Sequence, residues 1–343
     1  MQESRITPSG PVINPDWVPD LQTALHEIDV SEGFDGDFVN PAVIERLARK
    51  QNRIKIPFPE RLTGLDCKQI LSQLEYPADT EAWARPRPGQ ECGQLYRYEF
   101  YSNGPAELQQ ILDTWAANPV SDRAPNLRID GDNYFHQDVV SRLAVHYAVF
   151  YEAFTNRTAI DAWLSEWLQT YTSHRPPNKS RCPFNEPSRY ATHRDSYSVD
   201  GCGSNHWRNA VAKIALGIRI GDQALYRSGV RNLEINLAMF DESGIFVPYA
   251  ARGADSPGYA IDIPEYLSAI ALFYSAINVD LWGQLGPKGR PIGNLLESTL
   301  AWLRDPELAG QYWKGTLTCN DGRCDTLRSM SQIGSLEDWQ VLG

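Results

Sequence analysis

The chain has 343 residues, a net charge of -11 at pH 7 and 42% hydrophobic residues. That length and composition fit one large domain, and the acidic balance excludes a nucleic acid as the main partner because phosphate binding needs a basic face. No run of about 18 apolar residues is present, so we expect no membrane-spanning helix.

In chain order, residues 1–40 are rich in proline, glycine and aspartate, which predicts an irregular N-terminal extension with a short helix at Leu21–Ile28. Hydrophobic residues then recur with helical spacing. This spacing predicts helices at Pro41–Lys50, Cys67–Leu74, Pro105–Ala117, Tyr134–Phe154, Ala159–Tyr171, Asn205–Arg219, Gln223–Phe240, Pro264–Ile277 and Leu295–Leu303. We expect residues 76–104 to be irregular, 173–203 to form a long loop, and Gly244–Tyr249 to be extended.

Amphipathic helices in consecutive antiparallel pairs, with few strands, predict an all-α fold. The predicted architecture is an incomplete (α/α) toroid whose long loops gather at one end and form a cleft. We expect a single domain over residues 1–343. Trp163 and Trp167 are four residues apart on one predicted helix face, and we expect them to pack in the core rather than stack on a ligand.

The six cysteines allow three local pairs, namely Cys67 with Cys92, Cys182 with Cys202, and Cys319 with Cys324. Such pairs are typical of an oxidising compartment and favour a periplasmic or secreted protein, with six unrelated free thiols as the alternative. The first residues lack a signal-peptide pattern, as a trimmed exported protein also would. Neither a Cys-x-x-Cys nor a His-x-x-x-His spacing occurs, so we expect no metal and no cofactor.

Four residues in two segments form the candidate catalytic set: Asn205 and His206 at a helix start, then Arg252 and Tyr259. An amide and a guanidinium can neutralise a carboxylate, which acidifies the adjacent C–H, while an imidazole and a phenol can move the proton. Each residue also has a purely structural interpretation. Asn205 could cap the helix, His206 and Tyr259 could pack, and Arg252 could be solvated.

Further polar and aromatic residues are candidates for substrate binding. The alternative is that they are ordinary surface side chains of a helix or of a solvated loop. They are Tyr134, Gln137, Arg142, Arg189, His193, Arg194, Arg208 and Tyr249. An acidic chain repels an acidic ligand at long range. However, cations are concentrated near these segments, and a local field dominates within a Debye length of about 8–10 Å.

The segment Ser204-Asn205-His206, followed by Arg252 and Tyr259 at a separation of seven residues, resembles the α/α-toroid alginate lyases of polysaccharide lyase family 5 and the related family 38 uronan lyases. The stretch from Asp241 to Pro248 resembles the acidic turn that precedes the arginine in these enzymes. Ser204 stands where the family 5 motif has an asparagine. The resemblance covers roughly residues 200–275.

The resemblance implies a lyase that cleaves a uronic-acid polymer, alginate (polymannuronate) or glucuronan, by β-elimination and leaves 4,5-unsaturated oligosaccharides. Asn205 and Arg252 would neutralise the uronate carboxylate. In a syn elimination Tyr259 would act as both base and acid, whereas in an anti elimination His206 would be the base and Tyr259 the acid. The partner would be an acidic polysaccharide, bound by a monomer.

Two other functions remain open from the sequence. A glycoside hydrolase on the same fold, acting on unsaturated uronosyl oligosaccharides, would need two carboxylates. The candidates are Asp241, Glu242, Asp255, Asp262 and Glu265. A non-catalytic uronan-binding protein would bind without turnover.

Overall fold

The computed structural model describes residues 23–38, 105–117, 132–171, 204–250, 260, 262–305 and 308. The predicted helices Pro41–Lys50 and Cys67–Leu74, and the predicted irregular stretches 76–104 and 173–203, lie outside these residues. All six cysteines lie outside them too. Their pairing therefore stays a prediction.

The described part of the chain is helical. It contains two 3-10 helices, Ala24–Glu27 and Tyr151–Ala153. The α-helices are α1 (Pro105–Ala116), α2 (Asp132–Val149), α3 (Arg157–Tyr171), α4 (Ser204–Ile220), α5 (Gln223–Ala238), α6 (Val247–Ala250), α7 (Asp262–Ala276) and α8 (Ile292–Arg304). Within the described residues, β pairing is limited to two isolated bridges, Phe240 with Phe246 and Leu285 with Pro291. None of the helices described is long and apolar enough to cross a membrane.

The predicted extended piece Gly244–Tyr249 is wrong at its C-terminal end, where the chain forms the short helix α6. The carbonyl of Phe246 accepts hydrogen bonds from the backbone N–H groups of Tyr249 and Ala250, both at 3.1 Å. Pro248 lies in the first turn of this helix, where its missing N–H removes no helical hydrogen bond. The run of apolar residues therefore forms a helical turn rather than a strand.

The chain divides into two compact units. The first comprises residues 1–28, 174–207 and 230–343, and the second comprises residues 29–173 and 208–229. The second unit contains α1, α2 and α3 with most of α4. The first contains α6, α7, α8 and the start of α4, which carries two of the candidate catalytic residues, Asn205 and His206.

In the second unit, α1 and α3 lie side by side and run in the same direction. Gln109, near the start of α1, donates a hydrogen bond to the carbonyl of Thr155 just before α3, at 3.1 Å. Further along both helices, the rings of Trp115 and Trp163 lie 5.7 Å apart. Contacts that advance together along two helices require parallel axes.

Helices α2 and α4 of this unit form a second parallel pair. Ser141 donates to Asn209 Oδ1 at 3.4 Å, and Arg219 Nε donates to the carbonyl of Ala148 at 2.8 Å. Alternate helices therefore lie beside each other, which is the arrangement expected when consecutive antiparallel helices occupy two layers of an α/α toroid.

Consecutive helices α4 and α5 pack as an antiparallel pair. A Cβ atom built on Gly217 would lie 2.7 Å from the backbone nitrogen of Tyr226, so the two backbones touch and only glycine fits. One turn earlier on α4, Lys213 Nζ donates to Ser228 Oγ at 2.9 Å, further along α5. The predicted all-α fold with antiparallel helix pairs is confirmed in the described residues.

The apolar stripes predicted on α1, α2 and α3 form the core of the second unit. The buried side chains include both tryptophans predicted to pack there, together with Ile111, Leu112, Trp115, Leu143, Tyr147 and Leu168. Burial of aromatic side chains of this size dominates the stability of such a core. The prediction that Trp163 and Trp167 are core residues is confirmed.

Part of the predicted N-terminal extension is anchored on α5 in the first unit. The carboxylate of Glu234, whose side chain is fully buried, accepts a hydrogen bond from the backbone N–H of Thr23 at 2.7 Å and lies 3.0 Å from His26 Nε2. Arg231 Nη1 lies 3.5 Å from the same carboxylate. The buried carboxylate of Glu234, together with the fully buried side chain of Leu25, therefore holds residues 23–27 in place.

His146 on α2 makes the stability of the protein pH-dependent. The imidazole is 2% exposed and its ring packs 4.9 Å from that of Phe150. Burial lowers its pKa from 6.5 to about 3. The folded protein keeps this ring neutral at pH values where the unfolded chain binds a proton, so the free energy of unfolding falls below about pH 6.5, by about 1.4 kcal/mol for each pH unit.

We therefore expect His146→Gln to remove this pH dependence. In denaturant titrations, the stability of the wild type relative to the variant should fall by about 2 kcal/mol between pH 7 and pH 5. A stability difference that stays constant over this interval would show that the imidazole titrates normally in the folded state.

Candidate active site

Two of the four predicted catalytic residues lie in the first turn of α4. Ser204 is its first residue, one position before the predicted start, with Asn205 and His206 next. The first backbone N–H groups of a helix have no partner within the helix and carry a partial positive charge, which favours a bound carboxylate. Arg252 and Tyr259 lie outside the described residues. Their contacts stay predictions.

The predicted substrate-binding residues fall in three places. Tyr134, Gln137 and Arg142 are positions of α2. Arg189, His193 and Arg194 lie outside the described residues. Arg208 on α4 and Tyr249 on α6 have buried side chains, with 9% and 0% exposure. Burial to this extent leaves little side-chain surface for a sugar, and their direct contact with substrate stays a prediction.

A tight turn over residues 240–246 leads from α5 towards the position of Arg252. Its carboxylate anchor is Asp241, whose Oδ1 accepts hydrogen bonds from the backbone N–H of Ile245 at 2.8 Å and from Ser243 Oγ at 2.7 Å. The backbone N–H of Asp241 in turn donates to the carbonyl of Ile245 at 2.9 Å. Asp241 is buried, with 3% exposure, and its Oδ1 stabilises the turn through these hydrogen bonds. This weighs against its service as a hydrolase acid or base.

A second loop, between α7 and α8, braces this turn with two cations. Lys288 Nζ donates to the carbonyl of Phe240, and Arg290 Nη1 donates to the carbonyl of Asp241 at 3.4 Å. Partial desolvation of its ammonium group lowers the pKa of Lys288. Two positively charged side chains thus bind consecutive carbonyls of the turn, Phe240 and Asp241.

Five aromatic rings form a cluster next to the start of α4, which we call the ring cluster: Trp207, Phe240, Phe246, Tyr249 and Tyr266. The Trp207 ring lies 5.7 Å from Phe246, 6.4 Å from Phe240 and 6.5 Å from Tyr266, the last nearly parallel at 8°. The Phe246 ring lies 5.2 Å from that of Phe240 and forms an edge-to-face pair with that of Tyr249 at 4.8 Å. Ring pairs at these separations attract each other beyond their simple burial.

The ring cluster joins the three chain segments that carry the predicted catalytic residues. Trp207 directly follows His206, Tyr249 comes three residues before Arg252, and Tyr266 comes seven residues after Tyr259. All five rings belong to the first compact unit. Sequence reasoning did not identify this cluster, because its members are spread over sixty residues and have no common spacing. The only available signal was the position of Trp207 next to the histidine.

Gly244 makes the turn possible. Its φ is +84°, and a Cβ atom there would lie 2.4 Å from the side chain of Ser298 on α8. Gly289 has a similar φ of +70° but nothing within 4 Å. The two glycines therefore separate the cost of a left-handed backbone from the cost of a steric clash.

We expect Gly289→Ala to lower the free energy of unfolding by about 1 kcal/mol, which is the backbone cost alone. Gly244→Ala should lower it by about 3 kcal/mol, since the clash with Ser298 adds to that cost. Chemical denaturation of both variants measures the difference. Equal losses would mean that α8 moves away from the turn freely.

The described residues contain no cluster of three or more histidine, cysteine, aspartate or glutamate side chains that could bind a metal ion.

The described part of the molecule is all-α, and its ring cluster is built from residues that flank the candidate catalytic positions in the sequence. A model of the alginate lyase family matches residues 81–309. Because this match covers more than half of the chain, the protein belongs to the alginate lyase family and is a polysaccharide lyase.

Several solved structures are similar to the chain. Alginate lyase A1-III from Sphingomonas species A1 is 16% identical over 99% of this chain and 85% of that one, with a TM-score of 0.49. A histidine-to-alanine variant of alginate lyase A1-III, complexed with tetrasaccharide, is 16% identical over 97% and 82%, with a TM-score of 0.48. An alginate lyase from Bacteroides ovatus is 15% identical over 81% and 70%, with a TM-score of 0.39. No curated protein matches the chain.

Proposed function

We propose that the protein cleaves a uronic-acid polymer, either alginate (polymannuronate) or glucuronan, by β-elimination. The observation that carries this proposal is the family match over residues 81–309, which includes all four proposed catalytic positions. In the reaction the C5 proton of the uronate leaves, its electron pair forms the C4–C5 double bond, and the C4–O glycosidic bond breaks. The products are 4,5-unsaturated oligosaccharides.

The difficult step of this reaction is removal of the C5 proton, because the C5–H group is only weakly acidic. Asn205 and Arg252 hold and neutralise the carboxylate on C5, which stabilises the negative charge that develops there when the proton leaves. The free N–H groups at the start of α4 add a fixed positive potential beside Asn205. Charge stabilisation of this kind requires donors that are already in place before the reaction begins.

Proton transfer is assigned to His206 and Tyr259. Tyr259 protonates the leaving O4 in both mechanisms and also removes the C5 proton if elimination is syn, whereas His206 is the base if it is anti. The segment 240–250 leads to Arg252, and α7 follows Tyr259. The ring cluster joins both to the first turn of α4. This linkage supports the assignment, because general acid–base catalysis requires the groups to be held within hydrogen-bonding distance of the substrate.

Eight further residues are assigned to substrate binding outside the catalytic set. We assign sugar contacts to Tyr134, Gln137, Arg142, Arg189, His193, Arg194, Arg208 and Tyr249. Arginines can pair with the carboxylates of successive uronates. We further propose one toroid domain over residues 1–343, acting as a periplasmic or secreted monomer without a cofactor.

The test is to offer polymannuronate, polyguluronate and glucuronan in parallel to the purified protein and to follow the ultraviolet absorbance of the conjugated double bond. A rise with one polymer establishes elimination and identifies the substrate together. Binding without any rise would replace the proposal by a uronan-binding function. Loss of absorbance from unsaturated oligosaccharides would replace it by a hydrolase.

A further inference from the structure

The side chain of Trp207 is the part of the ring cluster that belongs to α4 itself. It is fully buried and lies directly after the candidate catalytic pair Asn205 and His206. Its ring is near-parallel to that of Tyr266, at 6.5 Å, and tilted by 54° against that of Phe246, at 5.7 Å. Rings on α7 and on the turn after α5 thus contact the tryptophan that ends the first turn of α4.

Contacts on this ring resist rotation of the helix start about its own axis. Cα atoms lie on a cylinder of radius about 2.3 Å, so a rotation of about 25° moves each of them by about 1 Å. Such a rotation moves positions 205 and 206 together. A displacement of about 1 Å in a catalytic group can lower turnover about 100-fold.

We propose that Trp207 is a positioning residue of the elimination reaction: through its contacts with Phe246 and Tyr266 it sets the rotation and depth of the first turn of α4, and thereby the placement of Asn205 and His206. This inference rests on the proposed function. Trp207 does not touch the substrate in this scheme. Its partners Phe246 and Tyr266 lie on the described segments that precede Arg252 and follow Tyr259 in the sequence.

The test compares Trp207→Leu, Trp207→Phe and the control Trp302→Leu. Trp302 is a fully buried tryptophan on α8 in the same compact unit, so its loss removes the same ring volume. We expect Trp207→Leu to lower kcat about 100-fold with little change in KM, and Trp207→Phe to recover at least about tenfold of that loss. Trp302→Leu should keep kcat within about threefold of the wild type at a comparable loss of thermal stability.

A second readout does not depend on turnover. The imidazole of His206, assigned in NMR spectra by its absence from His206→Gln, should titrate at a different pH in Trp207→Leu and at the wild-type pH in Trp302→Leu. Equal kcat losses in the two leucine variants, or an unchanged His206 titration in Trp207→Leu, would overturn the positioning role. If the wild type cleaves no uronan, the proposed function fails, while the titration still decides whether Trp207 places His206.

Discussion

Tyr259→Phe is expected to lower kcat by about 10³–10⁴-fold on the preferred polymer, with a small effect on KM. The substitution removes one hydroxyl and keeps the ring. In both mechanisms that hydroxyl supplies the proton that the leaving O4 needs, and in the syn mechanism it also removes the C5 proton. Steady-state rates measured from the absorbance of the unsaturated product give both constants.

The matched control for this variant is Tyr274→Phe. Tyr274 is a fully buried tyrosine on α7, the helix that follows Tyr259, so the control removes the same hydroxyl group from a nearby element. Its kcat should equal that of the wild type. Wild-type turnover by Tyr259→Phe would remove Tyr259 from the mechanism, and with it the assignment of the acid.

His206→Ala is expected to lower kcat by about 10²–10⁴-fold, because the alanine variant loses both proton transfer and hydrogen bonding at this position. His206→Gln separates these two roles. Glutamine can donate a hydrogen bond but cannot accept a proton at neutral pH. In an anti elimination the glutamine variant should therefore be as inactive as alanine, whereas in a syn elimination it should recover part of the lost turnover.

The control is His146→Gln, which changes a histidine buried in the second unit and should retain wild-type kcat at pH 7. The pH profile of kcat adds a check. An anti mechanism predicts that turnover falls as His206 becomes protonated at low pH, and that this fall is lost in both His206 variants. Unchanged turnover by His206→Ala would exclude the residue from the reaction.

The helices of the second unit show what local sequence predicts well. Helix α1 ends within one residue of its predicted end, and its helically spaced apolar residues Ile111, Leu112 and Trp115 are buried. Periodic burial on one face of a helix is a property of a dozen neighbouring residues. It can therefore be seen in the chain before any tertiary contact is known.

The region after α5 shows where local sequence misleads. The apolar residues of Gly244–Tyr249 predicted an extended piece, yet Val247–Ala250 is helical. The turn before it depends on Asp241 accepting hydrogen bonds from its own loop and on two cations, Lys288 and Arg290, from a loop almost fifty residues away. A local sequence pattern cannot predict these hydrogen bonds, because their donors lie so far along the chain.

For the candidate site, the sequence by itself determined the chemical groups and their order, and it predicted that Asn205 and His206 open a helix, which α4 confirms. Only the tertiary structure decided that Trp207 meets Tyr266, 59 residues away. The physical reason is that periodicity defines which face of a helix is apolar, but not its rotation against a distant partner. That rotation is set by the packing of whole side chains, and it is what places catalytic groups to within an ångström.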